Sequence, residues 1–270
     1  MSLNGGHSPR LDPRATPTTA PGLHVVNHRC AGSTGAGTCA SKLGQPDLGF
    51  ASLNDMREHA EMIANLDPSV PLIADADAGY GGPNMVARTI QTKRCGHLSG
   101  KELVSTEVLV QKITAAAQER ERLQSDILII ARTDALQTHN FDETILRLKA
   151  AIKAGADIAF LEGINSKEQC KAVREALAPT PVLLNMVEHS ATPSLTPNEA
   201  QELGFRIIIF PFAAIAPAYE AIRQTYQNIK TTGRTGLASD FTPKKLFTVV
   251  GLGEAAKVDA QAGGAMYSMI

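Results

Sequence analysis

Asp75 and Asp77 stand two residues apart at the end of the apolar run "PLIADAD". On a strand that spacing turns both carboxylates to one side, where they offer the hard oxygen donors that suit Mg2+ or Mn2+. The same pair could equally cap a following turn or helix. Further on, "KRCGH" sets the thiol of Cys95 beside Lys93, Arg94 and His97. Neighbouring cations lower a thiol's pKa and make it usable as an acid or base. Gly96 and the surrounding charges argue against burial of this cysteine in an apolar core. Other residues that could do chemistry end further apolar runs: Arg132 and Asp134 in "ARTDA", Glu162 in "AFLEG", Asn185 and Glu188 in "LLNMVE".

These groups need elements to hold them. "PLIADAD", "DILIIARTDA", "DIAFLEG", "PVLLNMVE" and "RIIIFPF" are short and continuously apolar, as strands covered on both faces are. Between them lie segments with helical spacing and capping signals. "SLNDMREHAEMIANL" begins at Ser52 and places Met56, Ala60 and Ile63 on one face, leaving His59 toward solvent. "SKEQCKAVREAL" offers Ser166 and Gln169 as a capping box and buries Cys170. "TPNEAQELGF" has Thr196, Pro197 and Glu199 in the same roles. "FDETILRLKAAIKAGAD" starts at Asp142 and stops at Gly155. Alternating strands and helices with polar groups at successive strand ends predict an α/β fold of the (β/α)8 barrel type, whose reacting groups sit on that face. A doubly wound sheet would gather its ligands at one switch point instead.

The barrel is short of elements. Between Asp77 and Lys93 there is room for a loop and a short helix, about residues 84–91, but for no strand. Before the Gly-rich "STGAG", only "GLHVVNHR" reads as a strand. The count is six strands, followed by a helical C-terminal tail, "FTPKKLFTVVGLGEAAKVDAQAGG".

Composition bounds the partners. With 270 residues and 43% hydrophobic content the chain can bury a large core. Its 26 basic and 27 acidic residues give a net charge of -1, which favours neither nucleic acid nor an anionic membrane surface. A small-molecule substrate fits better. Four scattered cysteines suit a reducing compartment, and no apolar run reaches the ~20 residues of a membrane span. Residues 1–20, rich in Pro, Gly, Ser and Thr, read as a disordered tail ahead of one domain over 21–270. A cytoplasmic location follows, with the mitochondrial matrix as the alternative.

"TGAGTCASKLGQPDLGFASLNDM", "DADAGYG", "KRCGH", "ARTDA", "GADIAFLEG" and "LLNMVEHSATP", in this order from about Ser33 onward, resemble the isocitrate lyase/phosphoenolpyruvate mutase superfamily, on the side of 2-methylisocitrate lyase. The resemblance implies a Mg2+-dependent (or Mn2+-dependent) carbon-carbon cleavage of a small 2-hydroxy diacid or triacid through an enolate. It places Asp75 on the metal directly and Asp77 through water. Thr34, Gly35 and Ala36 match the turn that holds a substrate carboxylate, and Asp47 matches an aspartate near the substrate oxygen. Arg132 would clamp a carboxylate. Glu162, Asn185, Glu188 and Thr192 would line the rest of the pocket, and Gly96 and His97 would contact substrate. Cys95, flanked by Lys93 and His97, would protonate the leaving carbanion.

Blander roles stand beside these: an ordinary strand-end ion pair for Arg132 and Asp134, a helix cap for Glu188, a solvated loop residue for His97, a packing or turn role for Tyr80. The cysteine motif disfavours carbon-phosphorus chemistry. An oxaloacetate-type hydrolase stays open beside a lyase, Thr192 tilting toward the lyase. The family's segment between "DADAGYG" and "KRCGH" contains a helix and a strand with a further metal-site glutamate, and a helix also precedes its "TGAG" turn. Both are shortened here, which leaves a third reading: an inactive subunit acting only as a partner of intact ones. The resemblance also implies a homo-oligomer, a tetramer with exchanged C-terminal helices.

Overall fold

The structure is a computed structural model of the chain and describes residues 24–25, 31–76, 80 and 103–265. The chain divides into two compact units, Met1–Ile215 and Ala216–Ile270. Residues 1–20 and the expected short helix over 84–91 lie outside the described residues.

Among the described residues the first unit carries seven strands: β1 (His24–Val25), β2 (Ala31–Ser33), β3 (Leu72–Ala74), β4 (Ile130–Thr133), β5 (Ile158–Leu161), β6 (Val182–Asn185) and β7 (Ile207–Ile209). Every pairing is parallel. Five strands form a sheet in the order β1-β7-β6-β5-β4, and β2 pairs with β3 in a second sheet. The count exceeds the expected six by β2, which pairs residue for residue with Leu72–Ala74. A strand reading Ala-Gly-Ser has no β-branched or large apolar side chain to announce it.

The barrel is open. Among the described residues, β1 pairs only with β7, β3 only with β2 and β4 only with β5. Chain length accounts for the first break: residues 26–30 separate β1 from β2, whereas joining adjacent parallel strands takes about a dozen residues or more. The two strands therefore join different sheets.

Period-two alternation divides the five-stranded sheet into two buried faces. Ile158 and Phe160 of β5, Leu183 of β6 and Ile207 of β7 pack on the inner face, joined by Ile130 of β4 and by Ile73 of β3. On the outer face Ala159, Leu161, Val182, Leu184 and Ile208 meet helical residues including Leu148, Cys170 and Val173. Every residue of β5 and β6 is buried, the property their uninterrupted apolar runs forecast.

The helices of this unit are α1 (Gly35–Thr38), α2 (Leu53–Leu66), α3 (Thr106–Arg122), α4 (Phe141–Lys153), α5 (Lys167–Leu177) and α6 (Pro197–Glu202); a π-turn over Cys39–Leu43 follows α1. Ser52 with Asp55, and Thr196 with Glu199, form reciprocal capping boxes, each cap contributing about 1 kcal/mol. Two details differ from expectation. Asn140, not Asp142, caps α4, its Oδ1 accepting the N-H of Glu143, three residues on, at 2.9 Å, while Asp142 lies within the first turn. Gln169 returns its side chain to the Asn165 N-H at 3.0 Å, while Ser166 alone caps α5. After α4 the chain turns through Gly155 at φ 116°, where a Cβ would meet the Cβ of Ala117 on α3 at 2.6 Å. That position requires glycine.

The second unit holds most of α7 (Ile215–Thr232) with α8 (Pro243–Val249) and α9 (Leu252–Gln261), so the C-terminal tail is helical as expected. Tyr219, Ile222, Tyr226 and Ile229 follow one another at three- and four-residue steps on α7, and all are exposed. No helix among the described residues is long and apolar enough to cross a membrane.

Candidate active site

The inner face of the sheet builds the site by a simple offset. Ile73, Ile130, Phe160 and Leu183 belong to the inner cluster. Two residues further along the same strands come Asp75, Arg132, Glu162 and Asn185, which period-two geometry turns to the same side. One layer of polar groups thus caps the apolar interior at the carboxyl ends of four strands.

Within this layer Arg132 is the hub. Its Nε donates to Asp134 Oδ1 at 2.7 Å, and its Nη2 lies 3.1 Å from Glu162 Oε2. Register places Arg132 opposite Phe160, and the guanidinium sits 4.9 Å above that ring, a contact nothing in the sequence signalled. Burial alone would depress the pKa of Arg132, but Glu162, Asp134 and Asp75 together hold it above its usual value. The strand-end ion pair and the carboxylate clamp are therefore one arrangement, with Asp134 and Glu162 fixing the plane of the fork.

Glu162 is only 2% exposed. Asn185 Nδ2 donates to its Oε2 at 3.2 Å and to its Oε1 at 3.4 Å. With the amide so committed, the buried Asn185 Oδ1 has no hydrogen-bond partner among the described residues. A buried acceptor left in this state is one a ligand can satisfy.

Opposite the layer, α1 presents its N-terminal turn. Thr34 is the N-cap, and its Oγ1 accepts the Gly37 N-H at 2.9 Å. The Gly35 N-H donates to Asp75 Oδ2 at 3.2 Å, while the Asp75 N-H donates to the Ser33 carbonyl at 2.7 Å. The turn and the aspartate are thereby tied to each other. Asp47, 8% exposed, lies beneath: a Cβ on Gly35 would stand 3.0 Å from both its carboxylate oxygens. Ala36 is half-buried in the same turn. Asp75 also lines a cavity of about 480 Å³ with Asn54, Met56, Arg57, Ala74 and Tyr80.

Tyr80 adopts φ 56° and packs against Cys39, Ala51 and Met56, in keeping with a packing and turn role. His59 does not face solvent as its helical position suggested. Its Nδ1 lies 2.7 Å from Thr38 Oγ1, because α1 packs against α2 and leaves the ring half-buried. Glu188 is exposed and Thr192 buried beyond β6. Among the described residues no hydrogen bond or ion pair ties either to Arg132 or Glu162. Asp77, Lys93, Cys95, Gly96 and His97 lie outside the described residues.

The site chemistry suits a hard cation. Asp75, Asp134 and Glu162 outnumber Arg132, and carboxylate and amide oxygens line the layer, without thiolate or imidazole among its described members. Among the described residues no cluster of three or more His, Cys, Asp or Glu is placed to hold a metal. Mg2+ needs none, since one or two carboxylates with water and substrate oxygens commonly complete its shell. The donor set therefore fits Mg2+ or Mn2+, with Asp75 to hold it.

The model of the family described as phosphoenolpyruvate phosphomutase matches residues 27–230. This chain belongs to that family. Among relatives in the phosphoenolpyruvate phosphomutase family, 2,3-dimethylmalate lyase of Eubacterium barkeri is 38% identical over 77% of this chain and 76% of its own length. A probable 2-methylisocitrate lyase of Corynebacterium glutamicum is 31% identical over 86% and 80%. Among solved structures, a crystal structure of 2,3-dimethylmalate lyase superposes with a TM-score of 0.89 at 51% identity, covering 93% of this chain and 94% of that one. Oxaloacetate acetylhydrolase bound to 3,3-difluorooxalacetate gives 0.84 at 52%, covering 87% and 86%. These likenesses bear out the barrel-type α/β fold and place the chain among carbon-carbon lyases and their hydrolase neighbours.

Proposed function

We propose that this chain is a carbon-carbon lyase that cleaves a small 2-hydroxy diacid or triacid into a 2-oxo acid and a second carboxylic acid. The observation that carries this reading is the layer of Arg132, Glu162, Asn185 and Asp75 facing the Thr34–Gly37 turn. One end of a dicarboxylate would lie on the Thr34 hydroxyl and the Ala36 N-H of that turn, whose Gly35 and Gly37 N-H groups are already engaged, the other on the fork of Arg132. Bound at Asp75, Mg2+ or Mn2+ would supply positive charge for the substrate's carboxylate and 2-oxygen. Asn185 Oδ1 is placed to accept a substrate hydroxyl. Glu162 would take the 2-hydroxyl proton; the oxygen then becomes the ketone and the carbon-carbon bond pair passes to the carbon beside the second carboxylate. Cys95 gives that carbanion its proton, an assignment that rests on the family resemblance.

The second reading, hydrolysis of an oxaloacetate-type substrate, is favoured by the 52% identity to oxaloacetate acetylhydrolase. The test supplies the purified chain with Mg2+ and either 2,3-dimethylmalate, 2-methylisocitrate or oxaloacetate. Pyruvate from the first two supports the lyase; oxalate and acetate from the third support the hydrolase. Release of no product from any of the three would leave the inactive-subunit reading standing.

The exposed stripe on α7 supports a homo-oligomer, and we assign it to contact with another copy of this chain. Light scattering after size exclusion should give a tetramer mass. The buried thiols of Cys39 and Cys170 suit a reducing, cytoplasmic setting.

A further inference from the structure

We propose that His59 is a positioning residue that fixes the carboxylate-binding turn from outside the site, through Thr38. The proposal rests on the reading that Thr34–Gly37 receives a substrate carboxylate. Three observations carry it. Thr38 is the last residue of α1 and is fully buried. Its hydroxyl lies 2.7 Å from His59 Nδ1 and 3.4 Å from Ser33 Oγ. Ser33 in turn supplies the carbonyl that accepts the Asp75 N-H.

Geometry shows why a latch is needed there. The helix α1 is a single turn, with Thr34 and its Gly37 N-H closing one end, and so short a helix does not hold itself. It continues into a π-turn ending at Gly44 in the left-handed region. Its N-terminal end is tied to β3 through Gly35 and Asp75. The other end is tied to α2 through Thr38 and His59. The two ties reach different elements, and the intervening N-H groups keep their direction only while both hold.

The imidazole suits this position in either tautomer. With Nδ1 protonated it donates to Thr38, whose proton passes to Ser33 Oγ. With Nδ1 bare it accepts from Thr38, which then accepts from Ser33. A buried Thr38 hydroxyl without His59 would keep only the longer contact, a poor replacement.

The experiment compares wild type with His59→Leu, Thr38→Val and His59→Asn, whose amide can occupy the place of Nδ1. Amide hydrogen exchange on the free proteins is read at Gly35, Ala36 and Gly37, with β5 and β6 amides as the measure of intact folding. His59→Leu and Thr38→Val should speed exchange in the turn about tenfold or more and leave the sheet unchanged, while His59→Asn should restore near wild-type protection. Unchanged exchange in the turn with His59→Leu, or equal loss with His59→Asn, overturns the proposal. Titration with oxalate and Mg2+ forms a second arm. Affinity should fall with His59→Leu and recover with His59→Asn; equal affinity in all variants also overturns the proposal. If wild type takes up no oxalate, the carboxylate reading of the turn fails while the exchange result still decides whether His59 holds it.

Discussion

Replacing Arg132 by Met should cost the first unit more stability than any loss of packing explains, and replacing Glu162 at the same time should return part of it. Glu162 is 2% exposed, and its Oε2 lies 3.1 Å from Arg132 Nη2. Asp134, with a side chain 12% exposed, takes the Nε proton at 2.7 Å. Methionine matches the length of the arginine stem and can keep contact with the Phe160 ring, so the change removes mainly charge and hydrogen bonds. Breaking a buried pair by removing one partner costs about 3–5 kcal/mol. In a unit of this size that corresponds to a fall of roughly 6–20 °C in Tm. Removing the Glu162 charge as well, with Glu162→Gln, eliminates one of the two carboxylates that lose Arg132. The double variant should be more stable than the sum of the singles predicts by about 1–3 kcal/mol. Urea unfolding of wild type, both singles and the double closes the cycle. Additivity within about 0.5 kcal/mol would show that the two groups do not share one buried interaction, and the hub role given to Arg132 would fall.

Three further outcomes follow from local features. Gly35→Ala forces a Cβ to within 3.0 Å of the Asp47 oxygens, which should cost about 1–3 kcal/mol of stability and weaken oxalate binding by isothermal titration; unaltered values for both would show that the turn yields freely. Burial pushes the Cys170 thiol up to about 11, so iodoacetamide at pH 8 should label it about a hundredfold more slowly in the native protein than in urea; equal rates by peptide mass spectrometry would contradict its burial. The Thr196 backbone N-H, Lys167 and the Thr196 hydroxyl hold Glu199 at about 2. Because this folded-state value is depressed, the stability it contributes is present above the unfolded value near 4.5 and is lost as pH falls toward 2. The difference in Tm between wild type and Glu199→Gln should therefore hold steady from pH 7 to 5 and narrow below, and a difference that widens in acid would reverse the assignment.

Much of this site was legible because strands carry a strict period of two. Once "DIAFLEG" and "PVLLNM" are read as buried strands, Glu162 and Asn185 must share a side with Phe160 and Leu183, and the structure places them there. Capping signals also survive in the sequence, since Ser52 and Thr196 satisfy their own neighbours within one turn. What escaped detection depends on contacts distant in sequence. His59 meets Thr38 across 21 positions, and helical spacing, which sets it three residues after Met56 at the edge of the same face, does not say what covers it. Phe160 under Arg132 follows from register, which no single strand encodes. The strand Ala31–Ser33 owes its conformation to pairing with Leu72–Ala74, a neighbour that outweighs its weak propensity.

The break in the barrel and the integrity of the site are compatible because they lie in different parts of the strand order. Arg132 and Asn185 lie in β4 and β6 and Glu162 directly follows β5, three consecutive members of the five-stranded sheet, where register fixes their spacing. Asp75 directly follows β3 of the other sheet, and two features bring it to them: Ile73 joins the inner apolar cluster, and Asp75 itself acts electrostatically on Arg132. The first three residues are therefore positioned by an unbroken ladder of backbone hydrogen bonds. The fourth is positioned by packing and charge across an open seam. Any cation that bridged Asp75 to a substrate held by Arg132 would draw the two sheets together, so Mg2+ with oxalate should protect β2 and β3 amides from exchange more than those of β5 and β6. Equal protection in both sheets would mean that the seam is already as firm as the ladder, and that Asp75 needs no ligand to hold its place.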